Sequence, residues 1–261
     1  MRKVLAISLL LLGLVTIAAA DDWNKTFQVT GKPSFHVLTD DANVNINSSD
    51  AKEIRVNVAA NGWKIPDDVR VTERQDGNQV SVEVRMTHRG HFSFGNRSIR
   101  VSVSVPRQTD LDLKTGDGSV TVDSVQGSAH VSTGDGNVNL TALDGALNAS
   151  TGDGNLKVRG RFDDVNLHTG DGNMSVYVSA GSKATGSWIF RTGDGNLDLY
   201  LPDGFAADID AHTGDGKVVS DLPVTTTGQI RENELRGKLN GGGNTLELRT
   251  GDGTIHLNRM M

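Results

Sequence analysis

The chain has 261 residues, no cysteine, and 32 acidic against 26 basic residues, which gives a formal net charge of −6. The lack of cysteine excludes disulfide bonds and thiolate metal sites. A net acidic surface does not favour nucleic acid or an anionic membrane as a partner.

Residues 1–20 have the pattern of a secretory signal peptide. Arg2 and Lys3 precede an apolar run at positions 4–17, and three alanines at 18–20 form a small-residue cleavage site. The run is shorter than the ~20 residues that a spanning helix needs, so we expect cleavage and no transmembrane segment in the mature chain. The mature protein is then exported, and is periplasmic, displayed on the cell surface or secreted. Its net charge is −8, because 24 basic residues remain.

Residues 21–106 are expected to form a β-rich lead-in that caps the repeats after it. Alternating apolar residues predict strands at 35–39, 44–47, 54–59, 69–73, 79–86 and 99–105. Thr39-Asp40-Asp41-Ala42 aligns with the motif Thr-Gly-Asp-Gly, which recurs later in the chain. We interpret it as a degenerate first copy of that motif. End strands of a repeat array expose unpaired edges, so either a cap covers them or the protein self-associates end to end.

One loop in the lead-in is basic and aromatic. It predicts a binding tip at which Phe92 and Phe94 stack on a sugar or a partner, while His88 and His91 respond to pH. The alternative is a hairpin tip whose two phenylalanines fold back over the end of the array.

Residues 107–261 contain seven copies of a four-residue motif, Thr-Gly-Asp-Gly, which we call the phrase. Successive copies are 18 residues apart three times and then 23, 21 and 37 residues apart, so insertions interrupt a fixed period. Self-similarity at about 20 residues indicates a repeat architecture. The phrase begins at Thr115, Thr133, Thr151, Thr169, Thr192, Thr213 and Thr250.

Apolar and polar side chains alternate on both sides of every copy. Leu111 and Leu113 precede the first copy, and Val120 and Val122 follow it. Each repeat is therefore predicted to hold two half-buried strands joined by a Gly-Asp-Gly corner. One repeat cannot bury its apolar side alone, so repeats must stack. The predicted fold is all-β: a flattened single-chain β-solenoid with 18 residues in each regular coil.

The residue types of the phrase suggest their own roles. The glycines are expected to supply the positive φ of a sharp corner, and the threonine hydroxyl is expected to bond to the turn backbone. Leu222 to Gly242 is expected to be an extra coil that lacks the phrase.

Stacked in register, the aspartates of the phrase would line one edge, and two explanations remain open for them. Structurally, each carboxylate would accept a bond from the amide two residues on, as in an Asx turn. Functionally, the row would bind Ca²⁺, which prefers several oxygen ligands. The candidate metal ligands are Asp117, Asp135, Asp153, Asp171, Asp194, Asp215 and Asp252.

A polysaccharide-active enzyme is a third hypothesis. Two carboxylates about 5–9 Å apart would satisfy glycosidase geometry. However, every repeat carries the same aspartate, so nothing distinguishes an acid from a base, and the sequence contains no catalytic motif. No catalytic residue is assigned, and we predict a protein that is not an enzyme.

Taken together, the signal peptide, the lead-in, the serial Gly-Asp-Gly corners and the Gly-rich run before Thr250 resemble the bacterial adhesin-like, or toast-rack, β-strand repeat family. The resemblance implies a β-solenoid outside the cytoplasm, with no catalytic residues to carry over. It predicts an adhesin-like binding or scaffold protein whose partner is an envelope protein or a glycan. No cofactor is expected apart from Ca²⁺ in the alternative above.

Overall fold

The computed structural model describes residues 21–87, 97–226 and 231–260. Every regular element in that part of the chain is a β-strand, and it contains no helix that could span a membrane. The all-β class predicted from the sequence is confirmed. The strands are β1 Asp21–Gln28, β2 Ser34–Thr39, β3 Asn43–Ser49, β4 Glu53–Asn61, β5 Val69–Asp76, β6 Gln79–Met86, β7 Ser98–Pro106, β8 Asp110–Lys114, β9 Val120–Asp123, β10 Ala129–Ser132, β11 Val138–Thr151, β12 Leu156–Thr169, β13 Met174–Val178, β14 Trp188–Thr192, β15 Leu197–Leu201, β16 Ala207–Thr213, β17 Val218–Ser220, β18 Val224–Thr226, β19 Glu234–Leu239, β20 Thr245–Thr250 and β21 Ile255–Arg259.

The sequence pattern misses β1. Phe27 is the only fully buried residue of this strand, so the strand has little alternation to detect. It is held instead by antiparallel pairing with β4, which extends from Asp21 opposite Ala60 to Gln28 opposite Glu53.

The strands pair in two rows, and β11 and β12 are long enough to pass from one row to the other. The leading row contains the strands that run into the phrase, in the order β5, β6, β2, β8, β10, the second halves of β11 and β12, β14, β20, β16, β19 and β18. The trailing row contains the strands that follow the phrase, in the order β1, β4, β7, β3, β9, the first halves of β11 and β12, β13, β15, β21 and β17.

Neighbouring repeats pair in parallel and in register. Leu111 lies opposite Ala129, which in turn lies opposite Leu147. The apolar residues that alternate along both rows form one hydrophobic core, in which Leu113, Val122 and Trp188 are fully buried. Side chains of the opposite parity face outward, as the alternation predicts.

The stacking order departs from the chain order at both ends. The first repeat, β2 and β3, lies between β6–β7 and β8–β9. The last repeat, β20 and β21, lies between β14–β15 and β16–β17. The first and last repeats of the array are therefore interior members of the stack, and in both rows the outermost pairings are antiparallel or involve the three-residue strand β17.

The expectation of an extra coil at Leu222 to Gly242 is wrong. This segment supplies β18 and β19, which pair antiparallel with each other, and β19 also pairs antiparallel with β16. The segment folds back over the end of the leading row, and so does not repeat the two-strand pattern.

The expectation of positive φ at the corner glycines is also wrong. Gly118, Gly136, Gly154 and Gly172 do not have positive φ, but a Cβ on any of them would lie less than 3.0 Å from a backbone carbonyl oxygen of the adjacent repeat. Glycine is required here by the close approach of two backbones, and not by the backbone conformation of the corner.

Candidate functional site

The threonines of the phrase join neighbouring repeats. The Thr133 hydroxyl donates to the carbonyl oxygen of Gly118 at 2.8 Å, and the Thr169 hydroxyl does the same to Gly154 at 2.8 Å. The amide of Gly172 in turn donates to the Thr169 hydroxyl oxygen at 3.2 Å. The predicted bonding of the threonine to corner backbone is confirmed, and each threonine also ties its own corner to the next one.

The Asx turn expected at each corner is replaced by a bond between repeats. The amide two residues after Asp153 belongs to Asn155 and donates to the Asn137 side-chain oxygen at 2.9 Å. The amide of Asn173 donates in the same way to Asn155 at 2.9 Å. A column of polar side chains therefore satisfies the amides that the aspartates were expected to bind. The column consists of Asn43, Ser119, Asn137, Asn155, Asn173 and Asn196.

The seven phrase aspartates do lie at corresponding corners, and all of them are exposed. Their order along the stack is the stacking order of the repeats and not the chain order. Asp252 therefore lies between Asp194 and Asp215. Asp41 occupies the same position at the first repeat, where its carboxylate is 3.4 Å from the amide of Asp117. Among the described residues, no group of three or more histidine, aspartate or glutamate side chains is arranged to hold a metal ion.

The predicted binding tip lies outside the described residues. His88, His91, Phe92 and Phe94 all fall within 88–96.

The outward face of the leading row is charged but largely self-paired. Arg191 binds Glu247 at 2.8 Å, and Arg249 binds Asp210 at 2.8 Å. Burial raises the pKa of the Asp210 carboxyl, but the hydrogen bonds and charges of Arg249 and Arg236 together outweigh burial and hold that pKa below its ordinary value. The charges of these pairs are already neutralised, so they have little to offer a charged ligand.

The outward face of the trailing row differs at its centre. Tyr177 and Tyr200 lie opposite each other on β13 and β15, and their rings stack at 4.5 Å between centroids with an interplanar angle of 7°. The Arg159 guanidinium covers the other face of the Tyr177 ring, with its carbon 4.6 Å from the centroid. Lys157 is on the same strand as Arg159, and both are exposed.

We name Lys157, Arg159, Ser175, Tyr177 and Tyr200 the tyrosine patch. Tyr177 and Tyr200 are the only tyrosines of the chain. Burial raises the pKa of the Tyr200 phenol, and the neighbouring Tyr177 and Asp198 raise it further, so this hydroxyl remains a proton donor at neutral pH.

Sequence reasoning did not single out this patch, although a signal was present. Arg159, Tyr177 and Tyr200 each stand eight residues after the threonine of their own phrase. Residues at one offset in stacked repeats become neighbours, so a shared offset predicts a column.

A concavity of about 570 Å³ lies at the edge opposite the phrase corners. It is formed by three loops, around Gly181, Gly204 and Gly242, and about half of its lining residues are alanine or glycine, with Lys183 and Asp203 as the charged members. The insertions that lengthen the later repeats therefore produce a shallow hollow of small side chains rather than a cluster of reactive side chains.

Comparison with known proteins identifies the family. Residues 35–177 match the model of the Toastrack DUF4097 family, so the chain belongs to that family. No curated protein matches the chain.

Several solved structures align with nearly the whole chain at low identity. A proposed cell adhesion protein from Clostridium sporogenes is 16% identical with a TM-score of 0.45, covering 93% of this chain and 100% of its own. A proposed adhesin from Bacteroides fragilis is 12% identical with a TM-score of 0.49, covering 93% and 99%. A proposed lipid binding protein from Parabacteroides distasonis is 11% identical with a TM-score of 0.39, covering 92% and 97%. These descriptions belong to those proteins.

Proposed function

We propose that the protein is an exported, non-enzymatic, adhesin-like binding and scaffold protein of the bacterial cell envelope. The observation that carries this proposal is the outward face of the trailing row, where a long column of amide and hydroxyl side chains adjoins cations without a described carboxylate partner. A stack of strands presents such side chains at a regular spacing of about 4.8 Å, which suits an extended polymeric partner.

The same proposal includes the finer architecture. The chain forms a flattened β-solenoid with 18 residues per regular coil and Thr-Gly-Asp-Gly corners, and bonds between residues 18 apart support this reading. Residues 1–20 are removed on export, 21–106 form the lead-in and cap, and 107–261 form the regular repeats. The location is periplasmic, on the cell surface or secreted, as the adhesin descriptions of the similar structures suggest.

The partner is an envelope protein or a glycan, and the test is made on the mature chain. Fluorescently labelled protein comprising residues 21–261 is titrated onto isolated bacterial envelopes, and the native protein is located by cell fractionation. Saturable, competable binding together with an exported native protein is the expected result. A native protein confined to the cytoplasm, or binding that never saturates, would overturn the proposal.

A further inference from the structure

We infer that the tyrosine patch is a binding site for an acidic polysaccharide, whose carboxylate groups are bound by Lys157 and Arg159 and whose hydroxyl groups are bound by the two tyrosines and Ser175. The inference rests on the proposed binding function and adds to it a place on the molecule and a class of ligand.

The first argument is the state of the cations. Lys157 and Arg159 are exposed on β12, and neither forms an ion pair with a described carboxylate, whereas most arginines on the leading-row face do. Their register neighbours on the next strand are Ser175 and Tyr177, both of which are uncharged. Asp198 adjoins the patch on β15, but it is bonded to His256 at 2.9 Å. The two positive charges thus remain available to an anion in a protein that is acidic overall.

The second argument is the orientation of the tyrosines. The Tyr177 ring has Tyr200 on one face and Arg159 on the other, so neither face is free to stack on a ligand. The two tyrosines can therefore present only their ring edges and hydroxyl groups to a ligand, and these lie side by side on neighbouring strands. Two aligned phenol donors beside a guanidinium match a ligand that carries both hydroxyl and carboxylate oxygens.

The third argument concerns which ligand class the surroundings accept. Val219 is the only large hydrophobic residue exposed on the described surface, at 44%. Stable protein interfaces have an apolar or aromatic buried centre, and membrane-binding surfaces insert apolar side chains, so the described surface fits neither partner well. Asn139 lies opposite Lys157 on the flanking strand and is exposed, and its amide group suits sugar hydroxyls.

The test uses the chain from residue 21 onward and four probes: polygalacturonate, neutral dextran, phosphatidylglycerol vesicles and inorganic phosphate. Affinity is measured by isothermal titration calorimetry at low and physiological salt, since charge pairing at an exposed site weakens as salt rises. The variants are Lys157→Ala/Arg159→Ala and Tyr177→Phe/Tyr200→Phe. The second pair keeps the stacked rings and removes only the hydroxyls. Arg70→Ala/Arg74→Ala on β5 is the control with the same change of charge.

The expected result is that polygalacturonate binds and dextran does not. Both patch variants should bind polygalacturonate at least tenfold more weakly, while the control variant binds normally. Equal binding by the patch variants, or no binding of polygalacturonate, overturns the inference. Tighter binding of the vesicles or of phosphate, lost in the same variants, overturns the ligand class. If the wild-type protein still binds envelopes saturably in any of these cases, only the inference about the tyrosine patch fails and the proposed function stands. If it does not bind envelopes, the inference and the proposed function fail together.

Discussion

The hydroxyl of Thr151 donates a hydrogen bond to the carbonyl oxygen of Gly136 at 2.9 Å, across the boundary between two repeats. The same hydroxyl oxygen accepts the amide of Gly154 at 3.3 Å, and Thr151 is buried. One side chain therefore satisfies a carbonyl and an amide that belong to different corners. The same donation to a glycine carbonyl of the adjacent repeat recurs at Thr133, Thr169, Thr192, Thr213 and Thr250.

Replacing Thr151 with valine should lower the free energy of unfolding by about 1–3 kcal/mol, because the shape is kept while buried polar groups lose their partner. Urea denaturation followed by circular dichroism measures the change. Thr141→Val, at an exposed position, is the matched control and should change stability little. Equal effects of the two substitutions would show that the bonds of the Thr151 hydroxyl do not account for the change in the free energy of unfolding.

Gly154→Ala should destabilise the protein by about 3 kcal/mol or more, because the added methyl group meets the Gly136 carbonyl oxygen and neither backbone can move independently. Gly186→Ala is the control, since a Cβ there meets no atom within 4 Å, and its effect should stay within about 0.5 kcal/mol. Thermal melts of both variants make the comparison. A well-tolerated alanine at 154 would mean that the repeats can separate at little cost.

Asp210→Asn should destabilise the protein at pH 7 and have little effect near pH 2. The folded-state pKa of Asp210 is depressed, because Arg249 and Arg236 outweigh the effect of burial, so the carboxylate contributes stability above its unfolded pKa of about 3.9. This contribution is lost as the pH falls through the lower folded value. Urea denaturation of wild type and variant at several pH values gives the difference directly, and a difference that grows toward low pH would contradict the assignment.

Calcium should leave the stability of the protein nearly unchanged. The phrase aspartates are exposed, and no described group of three acidic or histidine side chains converges on one point. An ion that binds only the native state raises its melting temperature by mass action, so melts in EDTA and in millimolar CaCl₂ are compared. A rise of several degrees that titrates with Ca²⁺ would instead establish the aspartate row as a metal site.

Removing residues 245–261 should reduce the stability and the cooperativity of unfolding far more than removing an end repeat of an ordinary repeat array. The deletion takes out β20 and β21, which separate β14–β15 from β16–β17. We expect a loss of cooperative unfolding and a partial recovery when a peptide of residues 244–260 is added. Calorimetric melts with and without the peptide test this, and a peptide in which both Thr250 and Leu248 are changed to aspartate is the control. Unaltered cooperativity in the truncated chain would show that the last repeat is dispensable.

The repeating parts of the fold were the predictable parts. The two-residue alternation around Thr133 and Thr151 fixed which side chains face inward, and the shared phrase placed the aspartates at one edge. The stacking order was not predictable, because every repeat has nearly the same edge, so the repeat of Thr192 could pair as well with that of Thr213 as with that of Thr250, which it does pair with. The sequence also could not show that Gly154 is needed for contact between backbones, since that requirement comes from the neighbouring repeat.

The tyrosine patch was within reach of the sequence and was overlooked. Tyr177 and Tyr200 have outward parity, and a partly exposed outward aromatic side chain is needed neither for the core nor for the corner. The offset they share with Arg159 becomes informative only once those repeats are known to be neighbours.

The interior position of β20 and β21 also has a consequence for biogenesis. A chain synthesised N-terminus first leaves β14 and β15 with an open, hydrogen-bonding edge until residues 245–259 arrive, so the late repeats cannot reach their final pairing before synthesis is nearly complete. An open edge in an unfinished chain invites pairing with another molecule. The rate at which the last residues follow, and any chaperone that shields this edge, would then decide how much correctly assembled protein the cell obtains.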